Sequence, residues 1–272
     1  LVNPKIGFIG GGTMAQAIIA GLLQNGHPST DILVSDPNSD CRQHLKSEGV
    51  RCFDMSLPVM ELASVIVIAV KPQVMIEVLA GLREQLRTQQ IIVSIAAGVT
   101  LKTIRRNLND CLNPMVRVMP NTPALIGKGM SALVSDAELS QSDRQTVQSI
   151  FESCGQALWV PTEDAINAVT AVSGSGPAYF FLLIESLINT GVRLGLTHEV
   201  ARQLVIQTAV GATGMVESSD VGPDVLRKRV TSPGGTTQAA LSVFNEQDFA
   251  NIVDVALIAA HNRAHELSKD GA

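Results

Sequence analysis

The chain has 272 residues, of which 46% are hydrophobic and 17% charged, and its formal net charge is −5. This balance is typical of a globular protein with room for two domains, and the lack of a long Lys/Arg run argues against a nucleic-acid partner. No apolar run approaches the ~18 residues of a membrane span, and four widely spaced cysteines (Cys41, Cys52, Cys111 and Cys154) predict free thiols and no metal site, so we expect a cytoplasmic protein without a membrane partner.

The first 160 residues alternate between short apolar runs and amphipathic stretches. Runs rich in Val and Ile predict strands at 6–9, 32–34, 65–70, 91–95 and 115–119, with helices at 14–24, 41–48, 74–86 and 101–108 and two weaker strands, 132–135 and 157–160, around a helix at 142–154. Strands that alternate with helices indicate βαβ units and a mostly parallel sheet. We predict an α/β fold with a Rossmann-type dinucleotide-binding domain over residues 1–161.

The pattern changes after residue 162, where no convincing strand follows. Apolar positions recur at helical spacing over 179–194, 199–216 and 249–267, and Pro177 favours a helix start just before the first of these. Several of these helices are apolar on more than one face, which is typical of helices buried in a large core or against another chain. We predict an all-α C-terminal domain over 162–272 that binds substrate and forms a homo-oligomer.

The most informative segment of the first domain is the glycine turn Gly10-Gly11-Gly12, which follows a predicted strand and opens a helix. Gly10 permits the tight turn, Gly12 lets the backbone approach a pyrophosphate, and Ala15 lets the helix pack closely on the sheet. The exposed N–H groups of the helix start favour the diphosphate charge, and we extend the predicted cofactor contacts to Thr13 and Met14. The alternative is a turn that only closes a βα unit.

An acidic residue, Asp36, ends the next predicted strand and is flanked by Ser35 and Pro37. A carboxylate at this place usually binds the adenosine ribose 2′-hydroxyl and selects NADH. Ser35, Asn38 and Arg42 could instead bind the 2′-phosphate of NADPH, which a carboxylate would repel. Asp36 could also simply start a turn with Pro37, so the cofactor is predicted as NADPH or NADH.

Two more loops follow predicted parallel strands, and open α/β sheets bind ligands at the carboxyl ends of their strands. The first holds Val70, Lys71 and Pro72, although Lys71 could be an ordinary surface lysine. The second holds Ala96 and Ala97 before Gly98, where small side chains would let a nicotinamide ring lie near the backbone.

A second glycine turn lies in the predicted helical domain, in the segment Ser232-Pro233-Gly234-Gly235-Thr236-Thr237. Ser232 suits an N-cap and Pro233 the first helical position. Glycines in the first turn would leave N–H groups open to an anion such as a substrate carboxylate. The alternative is a capped helix without a ligand.

Proton-transfer residues are scarce. No lysine lies between Lys128 and Lys228, and none of the five histidines falls in a candidate motif. Dehydrogenases acting on alcohols or keto acids need such a group. The lysine-free stretch therefore argues against a 3-hydroxyacid or related dehydrogenase.

Six segments together resemble the Δ1-pyrroline-5-carboxylate reductase family, from Lys5 to about Leu267. They are residues 7–14, 69–72, 94–98, Met119-Pro120-Asn121-Thr122-Pro123, 171–179 (AVSGSGPAY) and 232–237 (SPGGTT). The resemblance implies reduction of pyrroline-5-carboxylate to L-proline with NADPH or NADH, the last step of proline biosynthesis. This implied substrate is an imine that would arrive largely protonated at nitrogen, so that the protein would mainly have to position its electrophilic carbon against the nicotinamide. It also implies that the helical domains interleave into a homodimer and that dimers assemble into a homodecamer.

The resemblance further implies roles for individual residues. Thr237 is the expected catalytic residue, orienting or hydrogen-bonding the substrate nitrogen, with Ser232, Gly234, Gly235 and Thr236 as expected substrate contacts. The acidic residue before the turn at Gly222-Pro223 contacts the substrate region in that family, and here it is Asp220. Arg229 stands where some relatives carry an amide, a departure that would alter substrate contacts across a subunit boundary.

Overall fold

A computed structural model of the chain describes residues 4–270, except for the side chain of Asp270. Eight strands form one sheet: β1 Ile6–Ile9, β2 Ile32–Ser35, β3 Arg51–Phe53, β4 Val65–Ile68, β5 Ile91–Ser94, β6 Met115–Met119, β7 Gly129–Ser135 and β8 Gly155–Trp159. The helices are α1 Thr13–Gln24, α2 Ser39–Ser47, α3 Leu57–Leu62, α4 Met75–Leu82, α5 Leu101–Asn107, α6 Gln141–Glu152, α7 Ala165–Val169, α8 Gly176–Arg193, α9 His198–Glu217, α10 Pro223–Arg229, α11 Thr236–Glu246 and α12 Phe249–Asp270.

The sheet has the strand order β3-β2-β1-β4-β5-β6-β7-β8. Strands β1 to β6 run parallel, β7 is antiparallel to β6, and β8 is parallel to β7. The order reverses between β1 and β4, which is where open α/β sheets form a ligand crevice at the carboxyl ends of their strands. The predicted α/β fold class with a mostly parallel sheet is confirmed.

Two apolar cores cover the two faces of this sheet. Phe8, Ile18 and Phe151 are fully buried in one core, and Met60 and Ile66 in the other. Every residue of the four strands β1, β2, β4 and β5 is buried, as expected for parallel strands packed on both faces. The Val- and Ile-rich runs that predicted these strands therefore form the centre of the fold.

The chain divides into two compact units. The first reaches to Ser175 and also contains the chain from Ala260 onward, whereas the second is Gly176–Ala259. The sheet ends with β8 at Trp159, before the predicted boundary at residue 161, whereas the two compact units divide after Ser175. The second unit is entirely helical, and in it α8 and α9 form a hairpin in which a methyl group at Gly191 would lie 3.2 Å from Ala201 Cβ.

The helix expected to start near Pro177 is α8, which begins at Gly176. Helix α7 continues through a π-helical turn, Thr170–Gly174, into α8. The Ser175 amide donates to the Thr170 carbonyl at 2.8 Å, five residues back. The start of α8 beside Pro177 is therefore as expected, but it follows directly on a π-helical turn and not on a loop.

Candidate functional site

The glycine turn joins the end of β1 to the start of α1. Gly10 has φ +100°, and a methyl group there would lie 2.7 Å from the Ala69 carbonyl oxygen, so the turn itself requires glycine. Gly12, the N-cap of α1, has φ −69° and ψ −179°, which any residue can adopt, and a methyl group there would meet no protein atom within 4 Å. Neither conformation nor packing explains Gly12, but a diphosphate approaching the helix start would.

Asp36 lies beside this turn and is oriented by it. The Gly11 amide donates to Asp36 Oδ2 at 2.7 Å, and the Asn38 amide donates to Oδ1 at 2.8 Å. Arg42 Nη1 donates to the carbonyls of Asp36 at 2.6 Å and Pro37 at 2.8 Å. Two backbone amides therefore hold the Asp36 carboxylate at the end of β2. The Arg42 guanidinium, from α2, binds the backbone carbonyls of the loop that follows this strand.

Ser35 takes part in this arrangement through its backbone. Its carbonyl accepts the Gly10 amide at 2.8 Å, and the residue is only 5% exposed as the last position of β2. Thr13 is exposed and Met14 half-buried at the start of α1. The structure thus brings the predicted residues from Gly10 to Met14 together with those from Ser35 to Pro37.

The other two predicted loops lie at the carboxyl ends of β4 and β5, next to β1 in the sheet. Val70 is half-buried, and a methyl group at Gly10 would lie 3.1 Å from its Cγ1. Lys71 is exposed and precedes a short 3₁₀ turn that begins at Pro72. Ala96 is 5% exposed whereas Ala97 faces solvent. All predicted cofactor contacts therefore lie along one edge of the sheet, at the point where the strand order reverses.

The second glycine turn differs in detail from the prediction. Helix α11 begins at Thr236 with Gly235 as its N-cap, so the prediction of Ser232 as N-cap is wrong. The physical reason is a turn before the helix, in which Gly234 has φ +74° and the Gly235 amide donates to the Ser232 carbonyl at 3.0 Å. The glycines therefore precede the first helical turn instead of forming it.

This helix start lacks a side-chain cap. No side chain of the N-cap accepts a hydrogen bond from the first turn of α11, and the Gln238 side chain instead accepts the Gly234 amide at 2.5 Å. The first N–H groups of a helix have no partner within the helix. The start of α11 at Thr236 and Thr237 therefore offers backbone donors to an anion, as the sequence predicted, and Thr237 is half-buried in its second helical position.

Comparison with known proteins gives one family match in the region of the first glycine turn and another in the region of the second. Residues 5–98 match the family model "NADP oxidoreductase coenzyme F420-dependent", and residues 163–267 match "Pyrroline-5-carboxylate reductase dimerisation". A pyrroline-5-carboxylate reductase of Pseudomonas aeruginosa is 43% identical over 268 residues, which make up 98% of either chain. This chain belongs to the pyrroline-5-carboxylate reductase family.

Solved structures of this family have the same fold. The pyrroline-5-carboxylate reductase of Coxiella burnetii superimposes with a TM-score of 0.93 at 37% identity, covering 98% of this chain and 99% of that one. The pyrroline carboxylate reductase of Plasmodium falciparum, solved with NADP bound, gives a TM-score of 0.87 at 31% identity and 98% coverage of both chains. As a member of the family, the chain is an oxidoreductase, and the predicted family and class of enzyme are confirmed.

The remaining family positions lie on exposed parts of the helical unit. Asp220 is exposed and lies two residues before Gly222, the N-cap of α10. Arg229 is the exposed last residue of α10, and Ser232 is exposed in the turn that follows. Their roles toward a substrate stay predictions.

One hydrogen-bonding residue of the MPNTP segment was not assigned a role from sequence. Asn121 is 9% exposed, its Nδ2 donates to the Ser173 carbonyl at 3.0 Å, and its Oδ1 accepts the Met130 amide at 2.8 Å. Pro177 has no N–H to offer the carbonyl four residues before it, which is that of Ser173. A proline within the SGSGPAY segment is the signal that would have predicted a carbonyl in need of another donor.

Among residues 4–270, one helical run is long and apolar enough to cross a membrane. It is Ala165–Arg193, with 29 residues and a mean hydropathy of 1.3 in its most apolar window. One such helix is weak support for a membrane span, and this one lies in the region that matches the family's dimerisation model. A helix that buries its apolar face against a second copy has the same composition.

Proposed function

We propose that the chain reduces 1-pyrroline-5-carboxylate to L-proline with NADPH or NADH, the last step of proline biosynthesis. The observation that carries the proposal is the uncapped start of α11, which lies in the region that matches the family's dimerisation model and offers backbone donors to a carboxylate. A second turn, at Gly12, has room for an anion at the start of α1 and would hold the diphosphate of the dinucleotide. A protein that only bound a dinucleotide would need one such turn.

The dinucleotide is proposed to lie along the edge of the sheet described above. The N–H groups from Gly12 to Met14 would hold its diphosphate, and Ser35 to Pro37 its adenosine ribose. The loops at Val70-Lys71-Pro72 and Ala96-Ala97 would lie against the nicotinamide. When bound, the reduced nicotinamide supplies a hydride to the substrate carbon. The Plasmodium falciparum relative was solved with NADP bound, which supports a dinucleotide as the cofactor.

The substrate carboxylate is proposed to lie at the start of α11, against Gly234, Gly235 and Thr236, with Ser232 and Asp220 as further contacts. The Thr237 hydroxyl would hydrogen-bond the ring nitrogen. This role needs orientation more than acid strength, because a cyclic imine arrives largely protonated at nitrogen. The absence of lysine between Lys128 and Lys228 agrees with such a substrate.

The experiment is the initial rate of NADPH or NADH oxidation by the purified chain with pyrroline-5-carboxylate, compared with 3-hydroxyacids tested with the oxidised cofactors. We expect turnover with the imine and none with the hydroxyacids. Absence of imine turnover with both cofactors across neutral pH would overturn the proposal. Preferential turnover of hydroxyacids would indicate a dehydrogenase of similar architecture.

Asp36 is proposed to favour NADH over NADPH, because its carboxylate is fixed at the end of β2 by the amides of Gly11 and Asn38. In Asp36→Asn the charge that repels a 2′-phosphate is lost while one acceptor oxygen remains. We expect the ratio of kcat/KM for NADPH to that for NADH to rise about tenfold, which corresponds to ~1.4 kcal/mol. Asp40→Asn, an exposed aspartate in the first turn of α2, is the control, and an equal rise there would remove Asp36 from the selection.

The oligomer is proposed to be a homodimer that assembles into a homodecamer in the cytoplasm. The match of residues 163–267 to a dimerisation model supports an oligomer, and the decamer follows from the family resemblance. Light scattering at micromolar concentration tests both steps. A mass of ten chains is expected, a mass of two would limit the assembly to the dimer, and a monomer would contradict both.

A further inference from the structure

The last turn of α12 lies directly against the loop that follows β5. A methyl group at Gly98 would be 3.2 Å from Leu267 Cβ and 3.3 Å from the Leu267 carbonyl oxygen. Leu267 therefore leaves little room for a side chain at Gly98, although Leu267 itself is 42% exposed. Both residues belong to the first unit, because that unit includes the chain from Ala260 onward.

The same turn of α12 is fastened next to Leu267. Ser268 Oγ donates to Asn167 Oδ1 at 3.2 Å, and Asn167 is 4% exposed in α7. Asn167 Nδ2 in turn donates to Asp164 Oδ1 at 3.2 Å, and His265 Nδ1 lies 3.9 Å from that oxygen. The position of Leu267 is thus set by a buried amide of the neighbouring helix.

Glu163 fixes the other end of the loop. Its Oε1 accepts the amide of Leu101, the first residue of α5, at 2.7 Å, and Arg117 Nη1 at 2.9 Å. The Arg117 side chain is only 3% exposed, so the carboxylate is held from inside the sheet. A charge-assisted hydrogen bond of this kind is among the stronger ones in proteins.

We propose that Leu267, Ser268, Asn167 and Glu163 form a loop clamp that positions residues 96–98 to receive the dinucleotide. The inference rests on the proposed function, which places the nicotinamide against Ala96 and Ala97. If the loop is correctly placed only part of the time, the apparent dissociation constant rises by the inverse of that fraction. The clamp residues are positioning residues, since they act through the loop.

The packing around the clamp makes it sensitive to single changes. A cavity of about 230 Å³ is lined by Thr100, Arg117, Glu163, Asn167 and Ser268, among others. The contact at Gly98 and the hydrogen bond to Asn167 lie beside this space and help to hold the last turn of α12 in place. Removing one of them should loosen the loop without removing a core residue.

The test compares Leu267→Gly with Glu266→Gly in the full-length chain. Both substitutions place a glycine in the same helical turn, at a similar cost in helix propensity of about 1 kcal/mol. Only the first removes the Cβ against Gly98, because Glu266 is exposed and pairs with Arg263. The measurements are amide hydrogen exchange over residues 95–101 with and without NADPH, the dissociation constant of NADPH, and KM and kcat.

In Leu267→Gly we expect faster exchange of the loop amides without cofactor and a rise of about fivefold in the NADPH dissociation constant and KM, a coupling of ordinary size for a residue outside the site. The kcat at saturating NADPH should stay within about twofold, since bound cofactor orders the loop. Glu266→Gly should match the wild type in all of these. If Leu267 served stability alone, Leu267→Gly would lower thermal stability without changing loop exchange or NADPH affinity.

Glu163 gives a second, independent comparison. Glu163→Gln keeps an oxygen for the Leu101 amide whereas Glu163→Ala removes it, so NADPH affinity should fall more in the alanine variant. Unchanged exchange and NADPH affinity in Leu267→Gly and Glu163→Ala would overturn the clamp. If NADPH failed to slow exchange of the loop in the wild type, the cofactor placement of the proposed function would fail, even where the variants loosened the loop.

Discussion

The two units of the chain differ most in what they bury. In the first unit, strands and helices close two apolar cores on the two faces of the sheet. In α8 and α9, by contrast, Gly176 and Ala201 are the only buried residues among those described, while Phe181 is 64% and Val210 59% exposed. The first unit is thus a complete fold in one chain, whereas the apolar helices of the second require a further partner surface.

The two proposed binding turns lie in different units and therefore differ in the same way. The dinucleotide turn at Gly12 belongs to the unit that completes its own core. The turn before Thr236 belongs to the unit whose apolar faces are uncovered, in the region that matches a dimerisation model. Dinucleotide binding should therefore depend less on assembly than imine reduction does.

The largest expected effect follows from a charge on the uncovered helical face. Val210→Asp should dissociate the oligomer, because burying an unpaired charge costs about 3–5 kcal/mol and a two-fold interface buries it twice. Light scattering should show monomers, and pyrroline-5-carboxylate reduction should be lost. NADPH binding, followed by fluorescence, should remain within about tenfold of the wild type, a difference of ~1.4 kcal/mol.

The matched control is Leu112→Asp, on a leucine that is 97% exposed in the first unit. Its mass and activity should equal those of the wild type. An oligomer that survives Val210→Asp would show that α9 lies outside the interface, and equal dissociation by both variants would remove the contrast between the units.

The centre of the fold could be predicted from the sequence because its signals are local. Val- and Ile-rich runs predicted the strands from β1 to β6 except β3, a three-residue strand, Arg51–Phe53, at the edge of the sheet with an exposed first position. Helices of five to seven residues complete at most two turns and give a weak periodic signal, so that α5 was predicted but α3, α7 and α10 were missed.

The candidate site was predictable where a motif lies on one turn and not where distant residues meet. Gly10 to Gly12 and Asp36 were found from spacing, but the Gly11 amide that orients the Asp36 carboxylate links residues 25 positions apart. The start of α11 was misplaced because the φ of +74° at Gly234 puts a turn before the helix. Glu163 carried no local signal, since its two partners lie 46 and 62 residues away.

The second effect concerns chemistry in the helical unit. Thr237→Ala should lower kcat by about 10²-fold, a loss of the size that follows when one hydrogen bond to a reacting group is removed. The dissociation constant of NADPH should not change, because the dinucleotide turn lies in the other unit. Thr237→Ser keeps the hydroxyl and should recover most of the rate, whereas wild-type turnover in Thr237→Ala would remove this residue from the reaction.

A third, smaller effect separates stability from binding within the first unit. Gly12→Ala should raise the KM for NADPH about tenfold by filling space meant for the diphosphate. Its thermal stability should stay the same or rise slightly, since the backbone suits alanine and the new methyl meets no protein atom.

Gly10→Ala, in the same turn, should have the opposite effect on thermal stability. Its φ of +100° and the Ala69 carbonyl at 2.7 Å make alanine strained there, so thermal stability should fall by several degrees. Calorimetry together with NADPH titration checks both variants. A stability loss in Gly12→Ala as large as in Gly10→Ala would mean that the glycine serves the fold and not the cofactor.

The smallest expected effect concerns the rate at which Cys154 is alkylated, which should stay nearly unchanged when the oligomer dissociates. All four cysteines lie in the first unit, and burial raises the pKa of Cys154, which is 1% exposed in the core. Because the thiolate is the reactive form, alkylation of Cys154 in the folded protein should be slow at pH 8 and should speed up as the pH rises toward the raised pKa.

If the first unit is complete by itself, Val210→Asp should change the rate of Cys154 alkylation by no more than about twofold, which corresponds to well under 1 kcal/mol in local opening. Site-resolved mass spectrometry after iodoacetamide treatment measures the rate, with the urea-unfolded chain as the fully reactive reference. Rapid labelling of Cys154 in the monomeric variant would show instead that the core of the first unit depends on assembly, and the contrast between the two units would then lie only in which apolar faces are covered.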